Sequence, residues 1–265
     1  ASATAPTLFE KLNVNAKIIF DSPDGVNIND NCGSTHLDAL ISKVKEVQAD
    51  LGIAYDGDAD RCLLVTNDGD VIDGDYVLAI IGTDLKEKGR LNNNAIVGTI
   101  MSNLGLRKFC ESENINFVAT KVGDRYVLEE MLNKDYVIGG EQSGHVIFKE
   151  YANTGDGELT SLMVLNILSE RKCKLSELSS VMDKYPQVLV NVNVTKEGKT
   201  TFGEDAEINA LIKKYEEELN GDGRILIRAS GTENLIRVMI EGKNIEEISR
   251  MANDIADLIN KKFGI

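Results

Sequence analysis

Four short stretches of the chain carry residue types that do chemistry. Asp56-Gly57-Asp58-Ala59-Asp60-Arg61 places three carboxylates at alternate positions of a tight loop. Three negative charges that close to one another are costly unless a cation sits among them, and carboxylate oxygens suit Mg2+. The flanking segments, IAY and CLLV, read as strands that anchor both ends of the loop. An EF-hand starting at Asp56 fits poorly, because its sixth position is Arg61 where Gly is needed and its twelfth is Asn67 where Glu is needed. The second stretch, GGEQSGH at 139–145, lets the backbone approach a ligand closely. Glu141 and Ser143 suit vicinal sugar hydroxyls, and His145 is a candidate general acid or base near neutral pH. The third, Lys121-Val122-Gly123-Asp124-Arg125, offers two cations at the start of a helix, where anions bind readily. The fourth, Arg228-Ala229-Ser230-Gly231-Thr232-Glu233-Asn234 with Arg237 beyond it, groups two guanidinium groups, two hydroxyls and an amide as a phosphate cradle. Taken singly, each has a plainer reading: a solvated Asp turn, a structural histidine, a helix capped by Asp124, and a hairpin with surface arginines.

The elements that must hold these loops follow from periodicity. Helices are expected at 6–12, 36–48, 76–88, 102–113, 124–133, from about 157, at 205–219 and at 244–262. Strands are expected at 16–20, 50–55, 62–66, 95–98, 116–119 and 136–138, with three more after Pro186. Strands alternating with helices over the first ~180 residues imply α/β architecture. The expected fold is two α/β domains with mixed sheets flanked by helices, plus a smaller C-terminal α+β domain. The boundaries fall at 1–72, 73–178 and 179–265. The sheet of the first domain is expected to be incomplete, with an unpaired edge.

Composition narrows the partners. The formal net charge of −14 repels nucleic acid and anionic membrane, so neither is an expected partner. No apolar run approaches the ~20 residues a membrane span needs. Cys32, Cys62, Cys110 and Cys173 have neither finger nor C-x-x-C spacing and read as reduced thiols. The opening, ASATAPTLFEKL, has no basic n-region and no apolar h-region, and reads as the interior of a longer sequence. A cytoplasmic protein is expected, with the oligomeric state open.

The order of the loops says more than any one of them. DGDADR, then KVGDR, then GGEQSGH, then RASGTEN resembles the α-D-phosphohexomutase superfamily. The phrases VNINDNCGSTH, VGTIMSN, VGDRYVLEEM and NTGDGELTSL resemble its glucosamine-phosphate branch, and the resemblance covers essentially the whole chain. It implies interconversion of sugar 6-phosphate and 1-phosphate through an active-site phosphoserine and a bisphosphorylated sugar. It further implies that Asp56, Asp58 and Asp60 bind Mg2+ and that Arg61 faces the transferring phosphoryl group. Glu141 and Ser143 would hold sugar hydroxyls, with Lys121, Gly123 and Asp124 lining the same pocket and His145 as proton shuttle. Arg228, Ser230, Gly231, Thr232, Asn234 and Arg237 would hold the phosphate that is not reacting. The implied partner is a small-molecule sugar phosphate. The family's serine loop, a Thr/Ala-Ser-His-Asn-Pro type phrase, is not found in these residues, so this polypeptide alone is expected to lack turnover.

Other readings are a hexose-phosphate mutase, a non-catalytic sugar-phosphate-binding module, an Asp-nucleophile phosphatase and a calcium protein. The phosphatase reading wants Thr or Val where Asp60 stands. The calcium reading is weakened by Arg61 and Asn67.

Overall fold

A computed structural model describes residues 1–231 and 233–265. The chain divides into two compact units, Ala1–Asp183 and Lys184–Ile265.

The first unit opens with helix α1 (Ala5–Lys11), which has Pro6 in its first turn, and α2 (Asp38–Val47). Between them the expected strand at 16–20 does not form: no strand is assigned there, and Ile18 and Phe20 are exposed. An extended segment becomes a strand only when a neighbour takes its backbone hydrogen bonds, and none lies beside this one among the described residues. Strands β1 (Leu51–Tyr55), β2 (Cys62–Thr66) and β3 (Val71–Ile72) form an antiparallel sheet in that order. Every residue of β2 is buried.

Helix α3 (Gly74–Glu87) follows, capped by Asp73, whose carboxylate accepts from Asp75 N and Tyr76 N. Residues 67–75 thus hold a short strand and the cap of this helix. Ten residues of α3 are buried, because it packs against helices and sheet alike. Strand β4 (Ala95–Thr99), α4 (Leu104–Ser112), β5 (Asn116–Thr120), α5 (Asp124–Lys134), β6 (Ile138–Gly140) and β7 (Val146–Phe148) complete the second sheet. Its order is β5-β4-β6-β7, with β4 parallel to both neighbours and β7 antiparallel to β6. This is the mixed sheet flanked by helices that the alternation predicts. Helix α6 (Gly157–Arg171) and the short α7 (Leu175–Leu178) close the unit.

The second unit holds β8 (Gln187–Asn193), α8 (Lys196–Thr201), α9 (Ala206–Leu219), β9 (Gly223–Ala229), β10 (Leu235–Gly242) and α10 (Ile245–Phe263). The sheet is antiparallel in the order β8-β10-β9. Helix α10 buries Ile248, Met251, Ala252, Ile255, Ala256 and Ile259, a stripe at 3.6-residue period that covers β8 and β10. Asn244 caps its first turn and two lysines lie in its last, both of which suit the helix dipole.

All four cysteines are free thiols. Burial raises the Cys110 thiol to about 12, and raises Cys62 further. Among the described residues no helix is long and apolar enough to cross a membrane.

Candidate functional site

Strands β1 and β2 pair in register up to Tyr55 opposite Cys62, so the six residues between them must turn back sharply. Ala59 N donates to Asp56 O at 3.1 Å, and Ala59 itself adopts φ 63°, which is uncommon for a residue with a Cβ. Asp56, Asp58 and Asp60 each bring a carboxylate oxygen to within 4.8 Å of the others. Asp56 also accepts from Arg61 N at 3.1 Å. The Arg61 side chain points back over the loop, its Nε 3.6 Å from Asp56 and 3.9 Å from Asp60.

Burial, and behind it the charges of Asp60 and Asp58, pushes the Asp56 carboxyl above the usual carboxylate range despite the Arg61 hydrogen bond. With the folded value above the unfolded one, the folded state prefers this group protonated. The cost of ionising it sets in as pH rises past the unfolded value and persists at neutral pH. A divalent cation on the triad offsets that cost. Asp60 Oδ1 is buried with no hydrogen-bond partner among the described residues, and the donor set is all oxygen. The residues therefore fit Mg2+.

The GGEQSGH turn is joined to this loop by its backbone. Cys62 N donates to Gly144 O at 3.1 Å, and Arg61 and His145 form an antiparallel bridge. Gly144 has φ +94°, and a Cβ there would lie 2.4 Å from Cys62 O. The turn is held from its other side by α3, where Gly74 N donates to Gln142 O at 3.0 Å. Within the turn Glu141 N donates to His145 O at 2.9 Å. The Glu141 carboxylate accepts from Gly123 N at 2.9 Å, which ties the KVGDR segment to the same place. Lys121 is exposed and lies over the Tyr126 ring at 5.7 Å. Gly123, at φ +125°, occupies the N-cap position of α5 without a side-chain cap, and Asp124 falls in the first turn. The expected Asp124 cap is thus displaced by one residue. Ser143 and Asp124 are exposed, Glu141 half-buried and His145 buried.

A third segment, unassigned by sequence reasoning, completes the cluster. Gly157 N, at the start of α6, donates to Ala59 O at 2.8 Å. Asp156 caps α6 through Leu159 N at 2.9 Å. Tyr55, the residue before the Asp loop, bonds Ser161 of α6 at 2.6 Å, and Ser161 donates to Glu158 O. Since the Ser161 hydrogen goes to that carbonyl, the Tyr55 hydroxyl is the donor to Ser161. Burial raises its pKa first, with nearby anionic groups adding to the effect. The only sequence signal for this strap is the glycine spacing in NTGDGELTSL.

The fourth loop lies in the second unit. Arg228 on β9 stands directly opposite Arg237 on β10. Like charges face to face destabilise a sheet, so the pair calls for an anion. Burial lowers the Arg228 pKa, and the Arg237 charge lowers it further. Arg237 Nε is buried without a hydrogen-bond partner among the described residues, and Arg237 approaches Glu233 at 3.5 Å. The buried Ser230 hydroxyl accepts from Glu233 N at 3.2 Å, and Ser230 N donates to Leu235 O, which closes the turn. Gly231 and Asn234 are exposed at its tip. Thr232 lies outside the described residues.

Two α/β sheets bearing an acidic triad and a glycine-rich turn, with a separate small sheet bearing paired arginines, define a class. The chain belongs to the phosphoglucomutase/phosphomannomutase family: its models for α/β/α domain II, α/β/α domain III and the C-terminal domain match residues 1–69, 73–185 and 189–258. Within that family the chain is 53% identical over 263 residues to the phosphoglucosamine mutase of Caldicellulosiruptor saccharolyticus, covering 99% of this chain and 59% of that protein. It is 52% identical to the phosphoglucosamine mutase of Clostridium novyi, over 98% of this chain and 58% of that protein. The chain thus spans less than two thirds of the length of these relatives. Among solved structures, a phosphoglucomutase/phosphomannomutase family protein from Burkholderia thailandensis superposes with TM-score 0.80 at 21% identity, over 98% of this chain and 58% of that one. The Aspergillus fumigatus N-acetylphosphoglucosamine mutase, solved with GlcNAc-6P and magnesium, superposes with TM-score 0.72 at 21% identity, over 95% of this chain and 62% of that one.

Proposed function

We propose that these residues supply the metal, sugar and phosphate loops of an enzyme interconverting glucosamine 6-phosphate and glucosamine 1-phosphate. The observation that carries the proposal is the backbone-bonded cluster of DGDADR, GGEQSGH and KVGDR, together with the ~50% identity to phosphoglucosamine mutases. Asp56, Asp58 and Asp60 hold Mg2+, which when bound supplies charge neutralisation at the transferring phosphoryl group. Arg61, with its Nε over the triad, steadies that phosphoryl group from the protein side. Glu141 and Ser143 orient sugar hydroxyls, with Lys121, Gly123 and Asp124 beside them. Arg228, Ser230, Gly231, Thr232, Asn234 and Arg237 hold the non-reacting phosphate, and that binding energy fixes the reacting end. We divide the chain for these roles at 1–72, 73–178 and 179–265. The nucleophilic phosphoserine is no part of the 265 residues, so by themselves they bind substrate without turning it over.

Calorimetry of the chain with Mg2+ tests this reading. Glucosamine 6-phosphate is expected to bind, and to bind at least about tenfold more tightly than glucose 6-phosphate, as a matched hydrogen-bond and charge set would give. Equal affinity for the two would move the assignment to a hexose-phosphate mutase. Release of inorganic phosphate from glucosamine 6-phosphate would replace it with a phosphatase.

A further inference from the structure

His145 is buried, 3% exposed, and both of its ring nitrogens are engaged. Gly155 N lies 3.0 Å from Nε2. A backbone N–H can only donate, so Nε2 is the acceptor and the neutral ring carries its proton on Nδ1. Nδ1 lies 3.0 Å from Asp60 Oδ2. The ring therefore reads as a rigid spacer between a backbone amide and one oxygen of the triad. The other oxygen of Asp60, the buried and unbonded Oδ1, is left to a cation.

The spacer is itself fixed from behind. A Cβ on Gly155 would lie 2.6 Å from the imidazole Cε1 and Nε2, so the ring rests on the bare Cα of that residue. Gly155 also bridges to Ile147 of β7, and two residues on Gly157 holds Ala59 of the Asp loop. A Cβ on Gly157 would lie 2.5 Å from Arg61 O. Residues 155–157 thus run along the back of the metal loop, touching it through the ring at one point and through the backbone at another.

We infer that His145 is a positioning residue for Asp60, held by the 155–157 strap. A donor aimed at the outer oxygen of a ligating carboxylate fixes which oxygen meets the metal and in what direction. This inference rests on the proposed metal role of the Asp loop.

The test is Mn2+ binding to the full 265-residue chain, followed by electron paramagnetic resonance of the free ion, for the parent and for His145→Phe, His145→Asn and Gly155→Ala. A circular-dichroism melt of each variant accompanies it. Outer-sphere partners of metal ligands typically contribute about 10–100-fold in affinity. His145→Phe is expected to weaken Mn2+ binding by about that range. His145→Asn, whose amide places an N–H near the Nδ1 position, is expected to recover most of the loss. Gly155→Ala keeps the imidazole but displaces it, and is expected to weaken binding in the same direction as His145→Phe. Parent-like affinity in all three variants overturns the inference and leaves the proposed function standing. Equal loss in His145→Asn and His145→Phe also overturns it, because the loss would then be general disruption. A parent chain that binds no Mn2+ overturns the metal reading, and this inference with it.

Discussion

Gly74→Ala is expected to destabilise the first unit by about 1–3 kcal/mol. Two opposing effects meet at this position. Alanine is the better helix former, which favours the substitution by about 1 kcal/mol within a helix. Against that, the new Cβ would stand 2.0 Å from Glu141 O and 2.9 Å from Gly144 N. Both atoms belong to the backbone of the GGEQSGH turn, so no side-chain rotation relieves the clash. The start of α3 and the turn must separate, which breaks the 3.0 Å bond from Gly74 N to Gln142 O. Overpacking costs about 1–3 kcal/mol and a lost buried hydrogen bond about 1 kcal/mol or more, so the clash wins. Urea denaturation with hydrogen exchange read over residues 74–87 and 139–145 checks this. A loss below about 1 kcal/mol, the size of the propensity gain alone, would mean that the turn does not depend on α3.

Removing either member of the arginine pair on β9 and β10 is expected to weaken binding of glucosamine 6-phosphate by about 10–100-fold, the worth of a charge-assisted hydrogen bond at 1.5–3 kcal/mol. The same substitutions, Arg228→Met and Arg237→Met, are expected to leave the ligand-free protein as stable as before, or more so. The reason is the register: Arg228 and Arg237 stand directly opposite, and like charges in such a pair oppose sheet formation. Glu233, 59% exposed and 3.5 Å from Arg237, is too well solvated to offset that repulsion fully. A pair kept for architecture would behave the other way, with stability falling and binding unchanged. Calorimetry of binding beside the thermal midpoint of each variant separates the two outcomes.

The elements were legible wherever one face of the chain meets one core. The stripe from Ile248 to Ile259 fixes α10, and the apolar run Cys62–Val65 fixes a strand buried on both sides. Ala16 to Phe20 has the same local composition as a strand but does not form one, because a strand is decided by a neighbour that local composition does not reveal. The Asp loop was legible because its three alternating carboxylates sit between two apolar runs that read as strands and anchor both of its ends. Its supports were not. Tyr55 and Ser161 are 106 residues apart, and Asp60 and His145 are 85 apart, so only the folded chain pairs them. The glycines at 155 and 157 look like ordinary turn residues in sequence. Their constraint is the imidazole and the loop carbonyls that press against them.

The central claim is that these loops work on an amino-sugar phosphate. Its most direct test is a chimera in which the 265 residues replace the matching 59% of the Caldicellulosiruptor saccharolyticus phosphoglucosamine mutase. A coupled assay is then run with glucosamine 6-phosphate and Mg2+, beside the same chimera carrying Asp58→Asn. The account predicts formation of glucosamine 1-phosphate by the chimera, little or none by the variant, and none by the 265 residues alone. A folded chimera that is inert towards glucosamine 6-phosphate, or that turns over glucose 6-phosphate in preference, would contradict it.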